Sequence, residues 1–252
     1  MVEIKTIKQL FPRNKTLRSD RLLAVFAHPD DESLNISGLL VKAKKEGIKT
    51  YLICLSRGER GSVNPDLFGE RLGRQRMEEL NQAGEILGLT KIFSYNFPDS
   101  DLCNQQEKIK QILEKIMVQV RPGVVITHDS SGGSGHPDHI TTSLIVKSLV
   151  NSLDVKANLY FVVLDGSLRQ MAKNNEQSVI NWRSMSEATH CLNIASFVDI
   201  KEKACLAHQS QRPEQFQPVP LRVWYQLFDK ECLHLVDLKR KYRFHLQKTF
   251  FI

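Results

Sequence analysis

His28-Pro29-Asp30-Asp31 stands where an apolar run, Leu22-Leu23-Ala24-Val25-Phe26, ends, and His136-Pro137-Asp138-His139 follows a second such run about a hundred residues later. Imidazoles and carboxylates together can supply the three N/O ligands of a catalytic zinc and still leave a carboxylate over for proton transfer. Consecutive residues leaving a strand point in different directions, so His28 and Asp31 can face one point while Asp30 approaches it from another side. His136 and His139 are three apart, which puts them on one side of a first helical turn; one can bind metal while its neighbour stands beside it. Alone, an Asp-Asp pair after a strand reads as an N-cap and a His-x-x-His as solvated side chains. Their joint appearance at two strand ends favours one divided metal site.

The elements that must carry these clusters follow from periodicity. Strands are predicted at Leu22–Phe26, Thr50–Leu55, Lys91–Tyr95, Val124–Thr127 and Asn158–Leu164. Helices are predicted at Leu34–Glu46 and Glu70–Leu87, with Gly47 and Gly88 as C-caps, and at Gln105–Val120 and Asp138–Leu149. Asp199-x-x-Glu202 has the form of a capping box opening a helix that runs to about Ser210. This alternation predicts a three-layer α/β sandwich of Rossmann-like type with a mostly parallel central sheet. Ligands collect where the strand ends of such sheets splay and helix N-termini point inward. The Ser131–Gly135 stretch lacks both the P-loop lysine and the G-x-G-x-x-G spacing, and reads as a flexible lead-in to His136.

A chain of 252 residues fits a single α/β domain, with a core over residues 20–165 and a less regular C-terminal third over 166–252. Gly166–Ala188 reads equally as a loop over the site or a surface connection. No apolar run nears the roughly 18–20 residues of a membrane span, and the first twenty residues have no signal-peptide pattern, so a cytoplasmic protein without a membrane anchor is expected. Five scattered cysteines form no Cys-x-x-Cys pair and read mostly as core thiols, not a disulfide framework. The net charge of +7 is spread out, with its densest patch at Lys239–Arg243. No nucleic-acid recognition motif accompanies it, so no nucleic-acid partner is expected.

Taken together, Ala27-His28-Pro29-Asp30-Asp31-Glu32, the turn Ser56–Gly61, Arg76-Met77-Glu78-Glu79-Leu80 with Leu87-Gly88, and Gly135–His139 resemble the PIG-L/LmbE family of zinc-dependent N-deacetylases over about Leu22–Leu149. Lys203–Gln211 is similar to a Lys…Ala…His-x-Ser-Gln helix of many members. The resemblance implies that His28, Asp31 and His139 bind zinc, with iron(II) or cobalt(II) also compatible with two imidazoles and a carboxylate. It implies that Asp30 is the general base, that His136 stabilises the oxyanion or acts as acid, and that Asp138 holds the charge state of His136. Arg76 and Asp99 would grip the sugar, and His208 would either line the pocket or cap a helix behind it. Some sugar-deacetylating members carry a tyrosine where this chain has Ser134.

The implied reaction is removal of an N-acetyl group from an N-acetylglucosamine-type conjugate by zinc-activated water, on a small-molecule amino-sugar substrate. Two alternatives stay open: an amidase cutting a larger acyl group from an amino sugar, and a metal-free Rossmann-type nucleotide-binding module. The resemblance also leaves a homo-oligomer open.

Overall fold

In the computed structural model, residues 1–12, 19–61, 66–153, 156–164, 186–211 and 219–238 are described. The Lys239–Arg243 patch and most of Gly166–Ala188 lie outside them. The strands are β1 (Val2–Glu3), β2 (Arg21–Phe26), β3 (Lys49–Ser56), β4 (Lys91–Phe97), β5 (Val124–His128), β6 (Asn158–Val163), β7 (His190–Asn193) and β8 (Lys230–Leu235). They form one sheet in the order β1-β7-β8-β6-β5-β2-β3-β4. Of these, β8 pairs antiparallel with both β6 and β7, and the remaining pairings are parallel. The fold is therefore the mixed, mostly parallel α/β sheet that the periodicity predicts.

The helices are α1 (Asp31–Lys45), α2 (Gly69–Leu87), α3 (Gln106–Val120), α4 (Pro137–Ser152), α5 (Val198–Ala207) and α6 (Leu221–Leu227). Alternation along the strands sorts them into two layers. Leu22, Ala24 and Phe26 of β2 pack with α1, α2 and α5 on one face, and Leu23 and Val25 pack with α3 and α4 on the other. At about 25 cal/mol per Å² of apolar surface removed from water, these two layers are the main force holding the strand ends in place. β2 has β5 on one side and β3 on the other, so the order of the chain reverses there. The two metal-type motifs leave the C-terminal ends of these neighbours, at the topological switch point.

Several local expectations need correction. α1 starts at Asp31, three residues before the predicted Leu34, and its acidic first turn suits the positive end of the helix dipole. The capping box at Asp199 is absent: Phe197 is the N-cap of α5 and makes no side-chain cap, while Asp199 pairs with Arg222 at 2.8 Å. β1, β7 and β8 were not predicted, because two to six residues with mixed polarity carry little periodicity. Cys191 and Cys232, opposite one another on β7 and β8, are joined by a disulfide that the reading of core thiols did not include.

Candidate metal centre

The two motifs arrive on built turns. His28 follows β2, and its backbone N–H donates to Asp31 Oδ2 at 2.9 Å, tying the turn to the first residue of α1. Asp30 between them has φ 108°, a region that L-residues other than Asn and Asp rarely enter. On the other side, His136 is the N-cap of α4, Pro137 follows it, and the His136 ring accepts from the Asp138 N–H at 3.2 Å. The glycine-rich lead-in is a defined turn. Gly132 has φ 74°, a Cβ there would lie 2.9 Å from the His136 carbonyl oxygen, and its own carbonyl faces His139 Nδ1 at 3.0 Å.

The expected ligands converge. His28 Nδ1 and His139 Nε2 are 3.1 Å apart; Asp31 Oδ1 is 3.4 Å from His139 Nε2, and Asp31 Oδ2 is 3.9 Å from His28 Nδ1. Ligand atoms about 2.0–2.2 Å from one cation are separated by distances of this order. The outer contacts fix which nitrogens are available. His139 Nδ1 meets a carbonyl, and His28 Nε2 meets Asp138 Oδ2 and Asp99 Oδ1, each at 3.2 Å. These partners only accept, so the protons of the neutral rings sit on those outer nitrogens. The inner nitrogens then face each other and a carboxylate with lone pairs only. With both rings neutral, two ring nitrogens and a carboxylate crowded together repel unless a proton or a cation lies among them, so the donor set fits a metal ion.

The titration behaviour carries the same message. Burial alone would lower the His28 pKa, but the bonds to Asp138 and Asp99 and the charge of Asp31 outweigh it and raise the value to about 10. Burial would raise Asp31, yet the histidines around it, His139 first, hold it well below the usual carboxylate range. The pocket attracts positive charge, as a proton or as a metal.

Asp30 stands beside this group. Burial raises its pKa to about 6, against the opposing charge of Arg76. Arg76 Nη2 donates to the Pro29 carbonyl at 2.5 Å and to Asp30 Oδ2 at 3.2 Å, and Nη1 donates to the Gly58 carbonyl at 2.8 Å. Arg76 is thus buried behind the turn and clamps Asp30, where a grip on the sugar was expected. Asp99 is likewise buried, held between His28 and the Arg60 N–H. The Asp138 carboxylate accepts from the Ser100 and Leu102 amides and meets His28; its backbone N–H donates to the His136 ring, and its charge favours the protonated form of His136. Strand-end motifs show which residues gather but not which way each carboxylate turns.

His136 is partly exposed, with its ring 4.7 Å from that of His28. Burial, then the charges of His28 and His139, lower its pKa. Because its Nδ1 accepts from the Asp138 amide, the neutral ring carries its proton on Nε2 as a donor.

Several residues at the site were not singled out from sequence. His128, the last residue of β5, stacks on His139 at 3.8 Å and lies 3.3 Å from Asp31 Oδ2; burial lowers its pKa to about 4. A histidine closing an apolar strand beside the second motif is the signal that could have found it. Glu32 is fully buried, with Oε1 2.9 Å from His208 Nε2 and Oε2 accepting the Asp30 amide at 3.2 Å. His208 therefore packs behind the site. Among the described residues, groups of three with one ligand atom each close enough to share a metal ion are His28 with His136 and His139, Asp31 with His128 and His139, and His28 with Asp99 and Asp138; the set His28, Asp31 and His139 draws on the first two, which meet at His139.

Residues 23–150, about half of the chain, match the family described as PIG-L: GlcNAc-PI de-N-acetylase. The chain is 26% identical over 253 residues to a 1D-myo-inositol 2-acetamido-2-deoxy-alpha-D-glucopyranoside deacetylase of Saccharomonospora viridis, covering 82% of this chain and 94% of that protein. It is 35% identical over 146 residues, half of each chain, to a mycothiol S-conjugate amidase of Streptomyces coelicolor. The solved structure of N,N'-diacetylchitobiose deacetylase from Pyrococcus horikoshii superposes with a TM-score of 0.69 at 19% identity, covering 87% of this chain and 84% of that one, a likeness of fold. Among the described residues no helix is long and apolar enough to cross a membrane.

Proposed function

Since the chain belongs to the PIG-L family of de-N-acetylases, we propose that it is a zinc-dependent hydrolase that removes the N-acetyl group from an N-acetylglucosamine-type conjugate. One observation carries this reading: His28 Nδ1, His139 Nε2 and the Asp31 carboxylate lie within 3.1–3.9 Å of one another, with a spare carboxylate, Asp30, beside them. His28, Asp31 and His139 would hold the ion. Bound there, zinc would supply Lewis-acid polarisation of the acetamide and lower the pKa of water from about 15.7 toward 7.

The chain's own residues then have distinct tasks. Asp30, fixed by Arg76 and by Glu32, takes a proton from the attacking water; a carboxylate with a pKa of about 6 is matched to that work near neutral pH. His136 presents Nε2–H to the oxygen of the tetrahedral species, and the departing amine takes its proton from Asp30 or His136. Asp99, Asp138 and the Gly132 carbonyl keep His28 and His139 in the tautomers that leave their inner nitrogens free.

A fluorescamine assay for freed amine across N-acetylated amino sugars tests the whole reading. Amine release that stops with a chelator and returns with zinc supports it. Zinc-free protein that turns over at the full rate overturns it. Release confined to larger acyl groups would make the chain an amidase instead.

A further inference from the structure

α1 is interrupted one turn after it begins. At Ile36 the backbone leaves helical geometry, with φ −139° and ψ 22°. Lys201 of α5 and Glu231 of β8 enter this break from the C-terminal part of the chain. Lys201 Nζ donates to the carbonyls of Ser33 at 3.2 Å and Leu34 at 2.7 Å, and to Glu231 Oε1 at 2.8 Å, which uses all three of its protons. Glu231 Oε1 accepts from the Gly38 amide at 3.0 Å and Oε2 from the Leu39 amide at 2.8 Å. In an unbroken helix the Gly38 amide would bond the Leu34 carbonyl directly; here a lysine and a glutamate stand between them. A Cβ on residue 38 would lie 2.5 Å from Ile194 Cγ2 and 3.3 Å from Glu231 Oε2, so glycine here chiefly makes room for Ile194 and keeps Glu231 close.

Both side chains are 3% exposed. Continuing the helix would satisfy these backbone groups with no charge taken out of water, whereas two buried charges carry a large desolvation penalty. A local rule broken at such cost points to a task elsewhere. What the break separates is the first turn of α1, and that turn carries Asp31, which faces the metal centre, and Glu32, which holds the Asp30 amide.

We propose that the Lys201–Glu231 pair is a positioning device: it keeps the α1 break open and so sets the direction in which Asp31 and Glu32 meet the histidines of the centre. The consequence for zinc rests on the function proposed above; the effect on α1 does not.

The double variant Lys201→Met with Glu231→Leu removes both charges and, with them, the bonds that hold the Ser33 and Leu34 carbonyls and the Gly38 and Leu39 amides, so the first turn of α1 loses its support from behind. It is expected to fold, to show faster amide exchange over residues 31–35 in the zinc-free protein, and to bind zinc(II) about 10–100-fold more weakly by chelator competition, the range for lost outer partners of metal ligands. Unchanged exchange, or a zinc affinity within twofold of wild type, overturns the proposal. If the wild-type protein itself bound no zinc, the metal reading would fall while faster exchange in the variant still supported the pair's role. Should the double variant not fold, Glu231→Asp keeps the charge and shortens the reach by one methylene. About tenfold weaker zinc binding by that variant supports the proposal, and unaltered binding refutes it.

Discussion

The chain from Arg21 to Val163 and the chain from His190 to Leu235 share one sheet but do different work. Among the described residues the first contributes the groups of the centre and its nearest partners: His28, Asp30 and Asp31 after β2, Arg76 from α2, Asp99 after β4, and His136, Asp138 and His139 around the start of α4. The second contributes side chains that reach the same turns from behind. His208 meets Glu32, Ser210 accommodates Glu79 of α2 through its amide and hydroxyl, and Lys201 and Glu231 fill the α1 break. The difference teaches that the candidate reactive groups sit at the switch point of the parallel strands, while the groups that back them come from the part of the chain that includes antiparallel β8, inside the sheet between β6 and β7. If that division is right, substitutions in the first region should remove turnover and leave the fold, and substitutions in the second should act through stability or alignment.

The largest effect expected is from Asp30→Asn. Asparagine tolerates positive φ nearly as well as aspartate, so the turn should persist, with zinc content unchanged by elemental analysis. Loss of the base should lower kcat by about 10²–10⁴-fold. A variant with full activity would exclude Asp30 as the base. His136→Ala comes next: removal of one donor to a developing oxyanion should reduce kcat by about 10²–10³-fold, with a loss of about 0.5–2 kcal/mol of stability because the ring also caps α4 through the Asp138 amide. A drop confined to KM would instead make His136 a substrate contact.

His208→Asn sharpens the comparison from the other side. It leaves Glu32 buried with only its bonds to Ser33 and the Asp30 amide, and should cost about 1–3 kcal/mol of stability in denaturant titration. The pH dependence has a definite sign. Burial would lower His208, but the charge and hydrogen bond of Glu32 raise it above its ordinary 6.5, so its stabilisation is full below about pH 6.5 and is lost as pH rises through the raised folded value. Burial would raise Glu32, but His208 and Ser33 hold it below its ordinary 4.5; its share is present above 4.5 and lost as pH falls through the folded value. The gap between wild type and variant should therefore be widest between about pH 4.5 and 6.5 and narrow on both sides. A gap that widened above pH 7 would contradict a charged pair.

How much of this was legible beforehand follows from the same division. β2 to β6, the helices between them and the convergence of His28, Asp31 and His139 could be read because each rests on local pattern: an apolar run, a capping glycine, a motif of four residues. The roles of Arg76 and Asp99 could not, because a long side chain at a helix or loop position can turn toward a ligand or toward the protein, and only packing decides which. Lys201 and Glu231 were invisible for a stronger reason. Each is one charged residue in an ordinary amphipathic setting, and its partners lie 168 and 193 positions away on α1. The Cys191–Cys232 bridge, 41 residues apart, depends in the same way on the β7–β8 register.

The smallest effect expected tests whether charge in the second region matters only when buried. Asp199 and Lys201 are two residues apart on α5, yet Asp199 pairs with Arg222 on the surface, with side chains 64% and 53% exposed, while Lys201 is enclosed. Read as a capping box, Asp199 would be worth about 1 kcal/mol to the helix. As the exposed ion pair that the structure contains, it should be worth about 0.2–1 kcal/mol and less as salt is added, because solvent screens it. Asp199→Ala should thus shift the denaturation midpoint slightly in low salt and hardly at all in 1 M salt, with zinc affinity and turnover unchanged. A salt-independent loss would restore the cap. A loss of zinc binding would mean that α5 aligns the centre through more than the Lys201–Glu231 pair.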